Sequence, residues 1–150
     1  MKAASSRFPA WLGTAAVVLH GVPLVLHGIA HAKLAIYLES TLANIYIGVV
    51  LYAAPAVAAC LLCVGRTRSG AWLRFWSMLG SILFEGYHHF LVMSPDHVSQ
   101  VPAGTWGEIF RVTAVLSLIT EVLGCAAAVV ILRIARPPIA GPLADGRSLK

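Results

Sequence analysis

Residues 71–93 read AWLRFWSMLGSILFEGYHHFLVM, an apolar run long enough to cross a lipid bilayer as a helix. Inside this run lie one carboxylate, Glu85, and two imidazoles, His88 and His89. Ionisable side chains within apolar segments of this length are costly, and they commonly face a protein interior or a water-filled cavity. The run therefore predicts a membrane helix with a polar face that has a structural or functional role.

The composition of the whole chain supports this interpretation. The 150 residues are 59% hydrophobic and 11% charged, and their mean hydropathy of +0.82 exceeds what a soluble domain of this size carries. The net charge of +5 comes from Lys and Arg beside apolar runs, without interleaved aromatic residues. We therefore predict one integral membrane domain that binds no nucleic acid.

The three cysteines, Cys60, Cys63 and Cys125, all fall inside apolar runs. This position excludes a secreted disulfide framework and a complete four-cysteine zinc site. Cys60 and Cys63 have the spacing of a redox pair, but the chain offers no second pair to exchange with. We interpret them as small apolar packing residues.

Four apolar runs have the length of a membrane helix, and the need for internal backbone hydrogen bonds in lipid favours helices. We predict an all-α fold, an integral membrane four-helix bundle in residues 1–133, followed by a disordered cytoplasmic tail over 134–150. Pro23 and Pro55 are expected to bend their helices. The predicted helices cover about 11–37, 43–64, 71–93 and 106–133.

The fourth predicted helix has the clearest start. Thr105 and Glu108 stand at the spacing of a capping box, in which the hydroxyl and the carboxylate satisfy backbone N–H groups. Glu108 also precedes Arg111 by about one helical turn, which favours an ion pair on the helix surface.

The positive residues lie on one side of a four-span topology. This side is predicted to be cytoplasmic, so both termini are cytoplasmic in a multi-pass protein of the bacterial inner membrane, with only Lys33 and Arg111 near the outer face. Alternatively, residues 1–32 form a signal peptide ending in Ala30-His31-Ala32, and its cleavage would leave three spans. The residues that decide the orientation are Lys2, Arg7, Arg66, Arg68, Arg74, Arg133, Arg136, Arg147 and Lys150.

In this topology the first and third helices bring histidines and acids into the same outer half of the bundle. A rise of about 1.5 Å per residue puts His31 and His89 roughly 9 and 6 Å from the outer helix ends. His27 and Glu85 lie deeper, roughly 15 and 12 Å from those ends, and Glu121 falls near mid-membrane. The side chains are therefore level enough to meet if the first and third helices touch.

A metal ion or haem is the first ligand that these side chains favour. Imidazole binds zinc, copper, iron and haem iron, and Glu85-x-x-His88 puts a carboxylate and an imidazole on one helical face. One such motif is half of a di-iron bundle site, and its spacing does not select haem over a transition-metal ion. We predict His31, Glu85 and His88 as metal ligands, and His27, His31, His88 and His89 as cofactor-binding residues.

Proton or small-molecule handling is a second interpretation. Burial and neighbouring charges change the protonation of carboxylates and histidines, and membrane proteins build proton relays and acid–base catalysts in this way. Here Glu85 and Glu121 would be the catalytic groups, with a histidine as partner. A third interpretation is a non-catalytic membrane subunit or scaffold whose polar core only fixes helix packing. The leading hypothesis is a small redox, metal- or haem-associated membrane component, and whether it is an enzyme stays open.

Residues 26–34, LHGIAHAKL, place His27-Gly28-x-x-His31 at the end of the first predicted helix. This segment resembles the first helix of DoxX-like and other small four-helix bacterial membrane proteins. The resemblance implies a bacterial inner-membrane protein, sometimes associated with redox or stress partners. Expected partners are the lipid bilayer and, beyond it, other membrane proteins or a second copy of the chain in a homo-oligomer.

Overall fold

A computed structural model describes residues 3–38 and 40–135, with side chains from residue 7 onward. Every regular element in this part of the chain is a helix, and these residues form no strand. Two stretches are π-helical, Ile47–Ala53 within the second helix and Tyr87–Leu91 at the end of the third. The helices α1 to α4 cover Ala3–Leu34, Thr41–Cys63, Thr67–Gly86 and Thr105–Ile134, and the π-helical stretch Tyr87–Leu91 continues α3 as its end.

The four helices pack around a common axis. Neighbours in the ring are α1 with α4, α4 with α3, α3 with α2, and α2 with α1. Helices α1 and α3 therefore lie on the diagonal, and their backbones make little contact. We call the end of the bundle that holds residues 35–38 and 92–104 the loop end, and the end that holds the turn at residues 64–66 the terminus end.

The bundle has an apolar outside and a largely polar inside. Large side chains such as Leu42 and Leu83 are exposed, while buried polar residues are almost as numerous as buried apolar ones. Among the described residues, α1 from Arg7 to Leu34, α2 and α4 are long and apolar enough to cross a membrane. Helix α3 does not meet that criterion, and it carries Arg74 and Glu85. This distribution is consistent with a multi-pass membrane protein.

Apolar contacts concentrate at the two ends of the bundle. Gly70 lets α3 approach α2 so closely that a Cβ atom there would lie 2.9 Å from the Ala58 carbonyl oxygen. Small residues commonly permit such close helix contacts in membrane proteins. Most buried polar residues lie along the length between the two apolar clusters, together with apolar ones such as Leu24, Leu51 and Met78. These clusters are Leu62, Ala71 and Ile131 at the terminus end, and Ala30, Val101 and Phe110 at the loop end.

The helix bounds lie within a few residues of the predicted ones at most ends. Helix α1 continues through Pro23 and ends at Leu34, before the predicted end at Tyr37. In α2 the π-helical stretch directly precedes Pro55, a residue that has no N–H to donate. Of the predicted disordered tail, residues 136–150 lie outside the described residues.

The start of α4 differs from the predicted capping box. The N-cap residue is Gly104, whose φ of 125° lies in the region that favours glycine, and no side chain caps the helix. Thr105 is the first helical residue, one position too late for its hydroxyl to act as the cap. The predicted ion pair is confirmed, because Arg111 Nη1 donates to Glu108 Oε1 at 2.7 Å.

Candidate metal centre

Three histidines from the diagonal helices meet near the loop end. His27 Nε2 lies 3.1 Å from His89 Nε2 and 3.1 Å from His31 Nε2. One ligand nitrogen from each ring lies within 4.8 Å of the other two. His27 and His31 share a face of α1 because they are one turn apart, and His89 reaches them from the end of α3. His27 and His89 are buried, and His31 is half-buried.

The second nitrogen of two of these rings is fixed by a backbone carbonyl. His31 Nδ1 lies 3.0 Å from the Ile36 carbonyl oxygen, and His89 Nδ1 lies 2.9 Å from the Asp96 carbonyl oxygen. A carbonyl oxygen can only accept, so both Nδ1 atoms carry the proton. In the neutral rings this leaves a lone pair on each Nε2, facing the centre of the cluster.

The third ring is fixed by a hydroxyl group. His27 Nδ1 lies 3.0 Å from Thr113 Oγ1, and that hydroxyl donates its own proton to a carbonyl one turn earlier, Ile109 O at 2.6 Å. Thr113 Oγ1 therefore accepts from the His27 Nδ1–H group. The neutral His27 ring then also directs an Nε2 lone pair at the cluster, so three lone pairs converge.

A buried carboxylate borders the three rings. Asp96 Oδ1 lies 3.3 Å from His31 Nε2 and 3.5 Å from His89 Nδ1. Asp96 is 4% exposed, and its Oδ1 atom has no hydrogen-bond partner among the described residues. A buried carboxylate oxygen without a partner is costly, which marks this atom as a candidate fourth ligand.

The loop that carries Asp96 is held in place from both sides. On one side the Val98 N–H donates to the His89 carbonyl at 3.0 Å. On the other, the Arg111 guanidinium donates to the carbonyls of Val98, at 3.1 Å, and Val101, at 2.6 Å. Asp96 is thus positioned by α3 and α4 together, although it lies in no regular element.

Phe110 forms an apolar boundary for the cluster. Its ring centroid lies 4.5 Å from that of His27, 4.8 Å from that of His31 and 5.4 Å from that of His89. Phe110 itself is fully buried. The aromatic ring keeps water from one side of the cluster and limits the positions that the imidazoles can adopt.

The π-helical end of α3 decides which histidine joins the site. In a continuous α-helix Glu85, His88 and His89 would share one polar face, as the sequence suggests. Each residue of a π-helix advances by a smaller angle, so His89 stays near the line of Glu85 while His88 turns away. The His88 ring instead packs against Phe84, with centroids 4.4 Å apart.

A cavity of about 180 Å³ opens beside the cluster. All three histidines and Asp96 contribute to its wall. Glu85 lines the same cavity, while most of the remaining wall is apolar. A small molecule in this space would contact the cluster and the Glu85 carboxyl group. The other lining residues include Leu24, Ile36, Ile47, Leu51, Tyr52 and Phe84.

Behind Glu85 the polar residues continue into the core. The carboxyl groups of Glu85 and Glu121 lie close together between α3 and α4. Glu85 is 2% exposed and Glu121 is fully buried. Glu85 Oε2 and both carboxyl oxygens of Glu121 have no hydrogen-bond partner among the described residues.

The polar interior ends at a buried arginine. Arg74 is fully buried, and its guanidinium donates to the carbonyls of Gly13, at 2.8 Å, and Gly124, at 3.4 Å. His20 lies nearby, with Nδ1 3.1 Å from Thr120 Oγ1. His20 Nε2 and Arg74 Nη2 are without a partner among the described residues. A polar column therefore runs from the cavity towards the terminus end.

The predicted site residues fall into three groups. His27, His31 and His89 form one cluster, and Glu85 lies in the wall of the adjoining cavity with Glu121 behind it. His88, predicted both as a metal ligand and as a cofactor-binding residue, lies outside the cluster. Sequence reasoning does not identify Asp96 as a ligand, and it gives no role to Thr113 in orienting His27.

Comparison with known proteins found no matching family model, no matching curated protein and no matching solved structure. The resemblance of residues 26–34 to DoxX-like proteins therefore stays a prediction.

Proposed function

We propose that this chain is a multi-pass membrane protein that binds a transition-metal ion in the loop-end half of its bundle. Its ligands are the Nε2 atoms of His27, His31 and His89, which form the cluster. The Asp96 carboxylate, 3.3 Å from His31 Nε2 at the border of the cluster, is the fourth donor. The observation that carries the proposal is the convergence of the three Nε2 atoms, since that of His27 lies 3.1 Å from each of the other two. Lone pairs that face one another repel, and a metal cation among them replaces this repulsion by coordination.

The spacing of the nitrogens supports a single ion. Tetrahedral coordination at metal–imidazole distances of about 2.0–2.1 Å puts neighbouring nitrogens about 3.3–3.4 Å apart. The Nε2 atom of His27 is 3.1 Å from those of both His31 and His89. Side-chain shifts of a few tenths of an ångström would therefore suffice to admit the ion.

A bare ion fits these residues better than haem. In a bis-histidine haem the two axial nitrogens lie on opposite faces of the porphyrin, about 4 Å apart at bond lengths of about 2 Å. Here a third imidazole points at the same centre, and Phe110 packs against all three rings. These side chains occupy the space that a porphyrin plane needs.

The cavity suggests that the ion acts on a small molecule. The space of about 180 Å³ borders the three histidines, so a small molecule there could bind the ion as a fifth ligand beside the four protein donors. An accessible coordination position is typical of catalytic metal sites, whereas structural sites are closed. Three imidazoles and one carboxylate suit zinc, iron or copper, which leaves both hydrolytic and redox chemistry open to this site.

Aromatic side chains support the membrane setting and its two boundaries. At the loop end Lys33 Nζ lies 5.9 Å from the centre of the Trp106 ring. Nearer the terminus end Trp72 and Trp76 are exposed and stacked on each other. Such residues concentrate at membrane interfaces. Together with the distribution of Lys and Arg, this supports a topology with both termini in the cytoplasm of a bacterial cell and the proposed metal centre in the outer half of the inner membrane.

Metal titration of the purified protein tests the proposal. Co²⁺ and Zn²⁺ should bind at one ion per chain in detergent, and tetrahedral Co²⁺ should give an intense visible absorption. His27→Ala, His31→Ala and His89→Ala should each weaken binding at least about tenfold, because each removes a ligand. His88→Ala is the matched control, since it changes the adjacent histidine outside the cluster and should bind like the wild type.

Two results would contradict the metal centre. One is protein that takes up no stoichiometric metal, and the other is equal loss of binding in His88→Ala and His89→Ala. If the cluster variants lose only thermal stability, and the wild type binds neither metal nor haem, the polar core is structural and the scaffold interpretation holds.

A further inference from the structure

The most unusual feature outside the three-histidine cluster is the pair of carboxyl groups formed by Glu85 and Glu121. Both lie in the core, near each other, and three of their four oxygens have no hydrogen-bond partner among the described residues. Two ionised carboxylates in contact repel strongly in a low-dielectric interior. Such pairs commonly hold one proton between them, as coupled acids do.

The charge balance of the core leads to the same protonation state. Arg74 contributes one permanent positive charge to the buried column, because a guanidinium stays protonated. Between the cavity and Arg74 the column holds two acids, Glu85 and Glu121, so this stretch is neutral when the pair carries one negative charge and one proton. A net charge buried away from water would be costly, which favours this state.

The position of Glu85 gives the pair access to the metal centre. Glu85 lines the cavity, whereas Glu121 is fully buried behind it. A divalent ion bound by the histidines adds two positive charges beside this wall. The added charge favours a second negative charge on the pair, and the cavity is the route by which a proton can leave.

We propose that the Glu85–Glu121 pair holds one exchangeable proton and releases it through the cavity when a divalent ion binds the three histidines. The inference rests on the proposed metal centre. The step is balanced: a divalent ion and the singly protonated pair give the metal-bound protein, a doubly ionised pair and one free proton. A neutral His ligand releases none, because it keeps its proton on Nδ1. The titratable groups nearest the pair are Tyr52, Asp96 and Cys125. His89 shares the cavity wall with Glu85, and Arg74 and His20 lie further along the column.

The number of protons released on metal binding tests this proposal. Zn²⁺ titration calorimetry of the full-length protein, in buffers of different ionisation enthalpy, should count about one proton more for the wild type than for Glu121→Gln. As the pH rises, the Zn²⁺ dissociation constant should therefore fall more steeply for the wild type than for the variant. The difference should be about one power of ten per pH unit. Glu108→Gln, which changes an exposed acid on the same helix, is the matched control and should release as many protons as the wild type.

The possible outcomes separate the two proposals. If Zn²⁺ does not bind the wild type, the metal centre fails and the proton exchange fails with it. If Zn²⁺ binds and Glu121→Gln releases as many protons as the wild type, only the proton exchange is overturned. Infrared spectroscopy gives a second readout without metal, because a protonated buried carboxyl group has its own C=O band. That band should vanish in Glu121→Gln and weaken when Zn²⁺ is added to the wild type, and its absence from the wild type would also overturn the proposal.

Discussion

At the scale of single residues, Thr113 determines which nitrogen of His27 faces the three-histidine cluster. Its hydroxyl proton goes to a backbone carbonyl, so the oxygen accepts from His27 Nδ1. Thr113→Val keeps the shape of the side chain and removes this acceptor. We expect Zn²⁺ affinity to fall about 10–100-fold, as it does when the partner of a metal-bound histidine is lost. Competition with a chromophoric chelator measures the change.

Thr120→Val is the matched control for this variant. Thr120 lies two turns further along α4 and contacts His20, which is not one of the proposed ligands. Its replacement should leave Zn²⁺ affinity close to that of the wild type. If both variants bind as tightly as the wild type, the hydroxyl of Thr113 does not orient His27.

The sequence predicts which polar residues belong to the site better than it predicts which of them contact one another. Apolar runs interrupted by His27, His31 and Glu85 already mark a polar interior. The choice of His89 over His88 depends on π-helical winding, which changes the facing of residues 87–91 and leaves no clear pattern in the sequence. The position of Asp96 depends on a loop that Arg111 holds through the Val98 carbonyl, thirteen residues away along the chain. Sequence patterns over a few residues do not predict such a contact.

At the scale of helices, a glycine rather than a capping box starts α4. The φ of 125° and ψ of 175° at Gly104 belong to a region almost closed to other residues. Gly104→Ala should therefore destabilise the protein by about 1–3 kcal/mol. Detergent-mediated unfolding followed by circular dichroism measures this difference.

Gly86→Ala should have the opposite effect on stability from Gly104→Ala. Gly86 has helical φ and ψ, −58° and −43°, and a Cβ atom there meets no atom within 4 Å. Alanine should stabilise this helix position by about 0.5–1 kcal/mol, because it loses less backbone freedom on folding. Destabilisation by Gly86→Ala as large as that by Gly104→Ala would show that backbone conformation does not explain the start of α4.

Helix positions are the part of the fold that the sequence predicts well, because length and apolarity alone determine where a segment can form a membrane helix. The ring order of the helices is not predictable in this way. The sequence matches the depths of His27 and His31 with those of His89 and Glu85, but only packing shows that their helices are diagonal. Their side chains meet across the centre of the bundle.

At the scale of the whole molecule, the distribution of Lys and Arg predicts which end of the bundle faces outward. In intact cells a membrane-impermeant maleimide should label Gln100→Cys at the loop end, and Arg68→Cys at the terminus end should stay unlabelled until the cells are opened. Both variants are made in a chain whose native cysteines are replaced by serine. Labelling of Arg68→Cys alone in intact cells would reverse the orientation and move the metal centre to the cytoplasmic half.

Helix α3 also has a consequence for how the protein is made. Its buried Arg74 and Glu85 raise the free energy of entering lipid, by about 2.5–3.5 kcal/mol for an arginine at the centre of a helix. Arg74 obtains its hydrogen bonds from the carbonyls of Gly13 in α1 and Gly124 in α4. The last of these partners emerges from the ribosome only after α3 itself. In the predicted four-span topology, stable insertion of α3 should therefore wait until α4 has been synthesised.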